Sequence, residues 1–329
     1  MNILYIIGNG LDIAHHMKTS YQDFFKYYLT IESGDNDIEA MKKDIDSHRY
    51  ETWADLEIGM GAYASHCADK DVFLKCLADI KESLKFYLKK ESEKINLYRI
   101  SSISNFLNPR LLLDPKPQNR YDAFRFGKNL KDTNIDVITF NYTSTLEQLL
   151  NYKNSPLYYT DSTQLLSIRH IHGLLDKMMV MGVNDSSQIS NEAFNSDMDV
   201  VEEFVKPEYN EACLNNKNDI CESLIMKADV IVLYGTSLGL SDDRWWKLIG
   251  GRMQSDNYPL LVYLPYDEKK DQATKPNRLR RWTMDYVLEV RSKFGIQLDE
   301  EVLESRMCIA LNKPLFRITK ATPQSNKTR

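Results

Sequence analysis

Asn141 and His172 carry the side chains best suited to chemistry in this 329-residue chain. Asn141 closes the apolar run Val137-Ile138-Thr139-Phe140, so its amide falls at the carboxyl end of a strand. There it can orient a ribose hydroxyl or a water, or cap the helix expected from Thr143. His172 lies in His170-Ile171-His172-Gly173, where strand alternation puts His170 and His172 on one face. No further carboxylate or cysteine stands nearby at ligand spacing, so no metal is predicted. His172 reads instead as a general base or hydrogen-bond donor, with a satisfied core histidine as the other reading.

Two glycine-bearing segments share this placement. Gly8-Asn9-Gly10 follows Ile3–Ile7, and Gly235-Thr236-Ser237-Leu238-Gly239 follows Val230–Tyr234. Glycine permits a tight turn and close approach of backbone to a phosphate. The second loop adds the hydroxyls of Thr236 and Ser237 for phosphate or ribose oxygens. Each also reads as a plain strand-to-helix turn. The first lacks the third glycine of the dinucleotide fingerprint and the lysine of a P-loop. Asp12, His15 and His16 follow the first turn and could enter the same crevice. Asp242 and Asp243 could contact a ribose or, with Ser241, cap the next helix. Trp53, Asp55 and Glu57 read as a lid or packing element, since Trp53 and Glu57 share a helix face and Asp55 does not.

Four strands must position these groups. Ile3–Ile7, 135–140, Val230–Tyr234 and Leu260–Leu264 are short, continuous and apolar, the pattern of strands buried on both faces. Residues 168–171 and 178–183 are weaker strand candidates. Turns at the carboxyl ends of parallel strands line up along one sheet edge and form a ligand crevice. The roughly 125 residues between the first two strong strands exceed what a crossover helix requires. Phe73, Leu77, Ile80, Leu84, Tyr87 and Leu88 fall three or four apart there and predict an amphipathic helix over 71–95, with 41–68 helical as well. Short helices are expected from Thr143 to Leu150 and from Ser241 towards Arg252, and a last one near 277–294. The expected fold is α/β, a doubly wound, mainly parallel Rossmann-like sheet with a large helical insertion. Residues 1–34 and 131–315 would form the core, 35–130 the insertion and 316–329 a polar tail.

A composition of 43% hydrophobic and 27% charged residues excludes wholesale disorder. The net charge of −5 gives no general attraction to a nucleic-acid backbone. Lys275, Arg278, Arg280 and Arg281 beside Trp282 are the best candidate for a local basic patch, and read equally well as a solvated helix face. Five scattered cysteines without a C-x-x-C pair argue against a zinc module and for a reducing compartment. The start shows no signal-peptide pattern and no run approaches membrane-spanning length, so a cytoplasmic protein is expected.

Taken together, these segments resemble the bacteriophage abortive-infection AbiH family. The likeness rests on Gly8-Asn9-Gly10-Leu11-Asp12-Ile13-Ala14-His15, Lys18-Thr19-Ser20-Tyr21 with Phe24, Trp53-Ala54-Asp55-Leu56-Glu57 and Phe140-Asn141-Tyr142-Thr143. It continues through Ile171-His172-Gly173, Gly182-Val183-Asn184-Asp185 and Ser237–Asp242 with Trp245-Trp246. The motif order is also similar, more distantly, to sirtuin-type NAD-consuming domains. That likeness implies NAD as ligand or substrate, with Gly8 and Gly10 at the pyrophosphate, Asn141 at the nicotinamide ribose and His172 as base. Asn9, Asp12, Gly235, Thr236, Ser237 and Asp242 would complete the binding set. The four-cysteine zinc module of sirtuin deacylases is absent and Tyr21-Gln22-Asp23-Phe24-Phe25 lacks their arginine, so NAD glycohydrolysis is implied rather than deacylation. Implied partners are a phage-derived trigger or a partner defence protein, with a homo-oligomer left open and neither membrane nor nucleic acid expected. A nucleotide sensor signalling through the insertion and a toxin acting on nucleic acid are the other readings.

Overall fold

A computed structural model describes residues 1–265 and 276–320; Lys275 and the expected polar stretch 322–327 lie outside them. The strands are β1 (Asn2–Ile7), β2 (Tyr98–Ser102), β3 (Thr133–Thr139), β4 (Leu157–Thr160), β5 (Thr163–His170), β6 (Val230–Tyr234), β7 (Leu260–Leu264), β8 (Met307–Ile309) and β9 (Arg317–Lys320). The helices are α1 (Gly10–Ala14), α2 (Tyr21–Tyr28), α3 (Asn36–His48), α4 (Leu56–Tyr63), α5 (Lys70–Ser92), α6 (Ser104–Leu107) and α7 (Pro115–Gly127). They continue with α8 (Thr145–Leu150), α9 (Met198–Phe204), α10 (Lys206–Ala212), α11 (Lys217–Lys227), α12 (Asp243–Met253), α13 (Pro276–Lys293) and α14 (Glu300–Ser305). None of the described helices is long and apolar enough to cross a membrane.

The four continuous apolar runs become β1, β3, β6 and β7 of a seven-stranded sheet ordered β4-β5-β3-β1-β6-β7-β8. Its ladders are parallel except that of β4 with β5. Side-chain alternation explains why these runs are apolar throughout. Ile3, Tyr5 and Ile7 pack with Phe106 of α6, Tyr121 of α7 and Leu146 of α8 on one face. Leu4 and Ile6 pack with Ile225 of α11, Trp246 of α12 and Val290 of α13 on the other. A strand covered by helices on both faces has no solvent side to leave polar. From β1 the chain steps outward through β3 to β5, then returns to β6 on the opposite flank and continues to β7 and β8. That reversal leaves a crevice outside the carboxyl ends of β1 and β6.

A third apolar cluster builds a helical layer from Phe24, Phe25 and Tyr28 of α2, Met41 and Ile45 of α3, Met60 of α4, Phe73 and Ile80 of α5, and Phe204 of α9. The helix expected over 71–95 is α5. The stretch 41–68 is broken into α3 and α4, and Asp55 caps α4 by accepting from the Glu57 and Ile58 amides at 3.1 and 3.3 Å.

Three expectations need correcting. Residues 178–183 form no strand beyond a single bridge from Val183 to Val205. Met179, Met181 and Val183 turn into the helical cluster instead, which an apolar run can do as readily as it pairs. The segment 35–130 is not helical throughout: β2 pairs antiparallel with β9, while α6 and α7 pack on the sheet. The stretch from 316, expected to begin a polar tail, starts instead with buried Phe316 and strand β9. Of the basic cluster, Arg278, Arg280 and Arg281 lie exposed on α13.

Candidate functional site

At the carboxyl ends of β1 and β6, two backbone turns touch. The Gly8 and Gly10 amides donate to Tyr234 O at 3.0 Å and Gly235 O at 2.8 Å. A Cβ on Gly10 would stand 2.4 Å from Gly235 Cα, and Gly235 itself sits at φ +63°. Glycine is thus needed here for the close crossing of two main chains. Both amides are engaged within the fold. Asn9 ties the following loop down: its Nδ2 donates to Thr19 O at 2.8 Å, and its Oδ1 accepts from Thr19 Oγ1 at 2.5 Å.

Asp12, on the first turn of α1, is 1% exposed. One carboxyl oxygen accepts from Thr143 Oγ1 at 2.6 Å, and Thr145 supports that hydroxyl at 3.0 Å. The other is buried without a partner. Burial pushes the Asp12 carboxyl up to about 6, against the opposing pull of Thr143, Thr145, the neighbouring Asn141 amide and His170. Asn141 follows β3 as expected but caps nothing, since Ser144 holds the cap position of α8. Its main-chain amide donates to Thr139 Oγ1, while both side-chain amide atoms are buried and unpartnered. Orphaned buried polar atoms are uncommon in folded chains, because each forfeits its hydration.

The two histidines do not act as a pair. β5 ends at His170, whose ring engages Asn141 O at 2.8 Å and Glu147 of α8 at 2.5 Å. His172 lies beyond the strand end, where alternation no longer applies. Its ring stacks on Phe140 with centroids 5.3 Å apart, and its Nε2 meets Asp242 Oδ1 at 2.8 Å. Asp242 also accepts from Lys206 Nζ at 2.9 Å, and Lys206 donates further to Ser241 O at 2.8 Å. Burial would raise Asp242, but Lys206 and His172 outweigh it and hold the carboxyl well below its ordinary range. Burial and then Lys206 lower His172, against the opposing pull of Asp242, and so favour the neutral ring. Against a fixed carboxylate, Nε2 is assigned the proton, which leaves the lone pair on Nδ1. Asp242 therefore does not cap α12. The Asn184 side chain stands over that helix end, and with its amide turned to present the oxygen it accepts from the Asp243 and Arg244 main-chain amides at 2.8 and 2.9 Å.

The helical layer closes the crevice. Asp55 accepts from Ser241 Oγ at 3.0 Å, and Glu57 stands 3.8 Å from Lys206 Nζ. Glu57 accepts from Tyr21 OH at 2.7 Å and Tyr142 OH at 3.4 Å. Burial raises its carboxyl to about 8, with Asp55 and Asp242 adding to the rise and Lys206 opposing it. The resulting cavity of about 420 Å³ is lined by Gly8, Asn9, Gly10, Asp12, Asn141, His172, Gly235, Thr236, Ser237 and Asp242, the ten residues that the NAD-domain likeness implies, and by Asp55 and Glu57. Small-molecule sites span roughly 300–1,000 Å³. Thr236 Oγ1 is a further buried atom without a partner. His15 and Asp243 are not among the lining residues; His15 bonds Leu11 O at 2.7 Å, and Asp243 pairs with Lys247 at 2.5 Å. Lys206 was not foreseen, because a lysine is ordinarily a surface residue and nothing near it in sequence marks it as buried.

The family model described as bacteriophage abortive infection AbiH matches residues 4–263. No curated protein matches the chain.

Proposed function

Because the chain belongs to the bacteriophage abortive-infection AbiH family, we propose that it serves phage defence by binding NAD or a related nucleotide and hydrolysing it at the nicotinamide–ribose bond. The observation that carries the reading is the orphaned Asn141 amide in a strand-end cavity beside a histidine whose tautomer a carboxylate fixes. The sheet order supports a doubly wound, Rossmann-like core, in which ligands sit where the strand order reverses. In hydrolysis the bond from ribose C1′ to the nicotinamide nitrogen breaks, and its electron pair neutralises the pyridinium ring. Water adds to C1′ while His172 Nδ1 takes its proton, and Asp242 stabilises the imidazolium that forms. Asn141 orients the water or a ribose hydroxyl. Ionised Asp242, neutral His172 and Lys206 form an ordered set in which Lys206 positions rather than reacts.

Incubating the purified protein with NAD, with and without phage-derived triggers, tests this. Nicotinamide release is expected, and its loss in Asn141→Ala and His172→Ala with the fold retained. No release under any condition overturns hydrolysis, and unchanged turnover in both variants overturns the residue roles. One observation favours a second reading, a nucleotide sensor: Asp55, which caps α4, and Glu57 within it reach Ser241 and Lys206, so the helical layer is wired to the loop after β6. Binding of intact NAD without product would select it.

A further inference from the structure

β8 is the last strand of the seven-stranded sheet, so only its β7 side is paired. Leu261 N donates to Arg306 O at 2.9 Å and Ala310 N to Tyr263 O at 3.1 Å, so Arg306, Cys308 and Ala310 turn their main chain towards β7. The residues between them face away, which puts the N–H and C=O of Met307 and Ile309 on the open edge. Arg120 of α7 covers part of that edge by donating to Met307 O. Beside it lies a second cavity of about 350 Å³, which shares no lining residue with the strand-end site. Its apolar walls are Pro117, Met284, Val287, Met307, Ile309 and Leu311. The charged lining is Lys116, Arg120 and Arg280 against Asp114 and Glu304, an excess of one positive charge in a chain whose net charge is −5. Glu304 is shared by Lys116 and Arg120 at 3.8 and 3.4 Å, and Asp114 is met by Lys313 at 3.4 Å. Arg280 is exposed and has neither ion pair nor hydrogen bond among the described residues.

We propose that this edge cavity is a second ligand site, for a small amphipathic monocarboxylate, with Arg280 as its countercharge. The volume lies in the range of small-molecule sites. Apolar walls left open to water gain by taking up an apolar tail, and Met284 is still 41% exposed. A guanidinium meets a carboxylate through two parallel N–H donors. Ile309 N–H, on the open edge, is a neutral donor beside the same cavity. One uncommitted cation suits one negative charge; a dianion would call for a second, and Lys116 and Arg120 are held by Glu304.

Methyl spectra of the full chain with carbon-13 methionine, titrated with decanoate, decanol and decylamine, decide the point. Met284→Leu and Met307→Leu, which nearly conserve volume, assign the two cavity signals. Decanoate is expected to shift both signals to saturation and to bind about tenfold tighter or more than decanol, the margin of a charge-assisted hydrogen bond. Decylamine should bind no better than the alcohol. Two unmoved signals at millimolar decanoate, or shifts confined to other methionines, overturn the site. Equal binding of acid and alcohol, or tighter binding of the amine, overturns the class of ligand. In Arg280→Gln, a change at an exposed position, decanoate affinity should fall to that of decanol; a folded variant that binds decanoate like the wild type overturns the role of Arg280. NAD takes no part in the measurement, so neither result bears on the strand-end site.

Discussion

Asp12→Asn should stabilise the protein, and more so as pH rises. In the folded chain the Asp12 carboxyl titrates near 6 rather than at its ordinary 3.8. A raised pKa means that the folded state prefers the protonated acid. The stability tied to this group is fully present below 3.8 and lost as pH rises through 6. Two units at 1.36 kcal/mol each put the loss at about 3 kcal/mol at pH 8, and at about half of that at pH 5. Because Asp12 is 1% exposed, solvent screening takes little from this figure. Asparagine keeps an acceptor for Thr143 and removes the charge. Any fixed gain or loss from the new amide cancels when the two pH values are compared. Urea denaturation of wild type and variant at pH 8 and pH 5 measures the difference. A stability change that is the same at both pH values, or that favours the wild type more at pH 8, refutes the reasoning.

Lys206→Met should destabilise the fold by about 3–5 kcal/mol, since it leaves the ionised Asp242 buried without its cation; a loss under 1 kcal/mol in denaturant titration would show that this carboxylate finds water. Gly10→Ala should cost about 1–3 kcal/mol, because its Cβ would meet Gly235 Cα at 2.4 Å. A variant with wild-type stability would mean that the β1 and β6 turns can separate freely.

The sheet centre was legible because burial on both faces writes itself as an uninterrupted apolar sequence. Ile3–Ile7 and Val230–Tyr234 need no partner in view to be recognised. The same signal fails where strands are short or distant. β8 has three residues, and β2 pairs with β9 more than 200 positions away. It also misleads at 178–183, where apolar residues face helices instead of neighbouring strands. At the site, the glycine turns, Asn141 and His172 were readable from their place at strand ends. The Glu57–Lys206–Asp242 cluster was not, because its members come from three separated elements and a buried charge has no local signature. His170 and His172 show the limit of alternation, which holds only while the strand continues.

The cavity walls begin at Gly8 and are not complete until Trp246, so the site is assembled from the first and the later parts of the chain at once. A chain still on the ribosome holds β1 and Asn141 long before the loop bearing Gly235, Ser241 and Asp242 has emerged. Until then Gly8 and Gly10 lack the backbone they cross, and His172 lacks the carboxylate that sets its tautomer. The cavity therefore closes only after β6 and the loop behind it have emerged, and a chain cut before β6 lacks one of its walls.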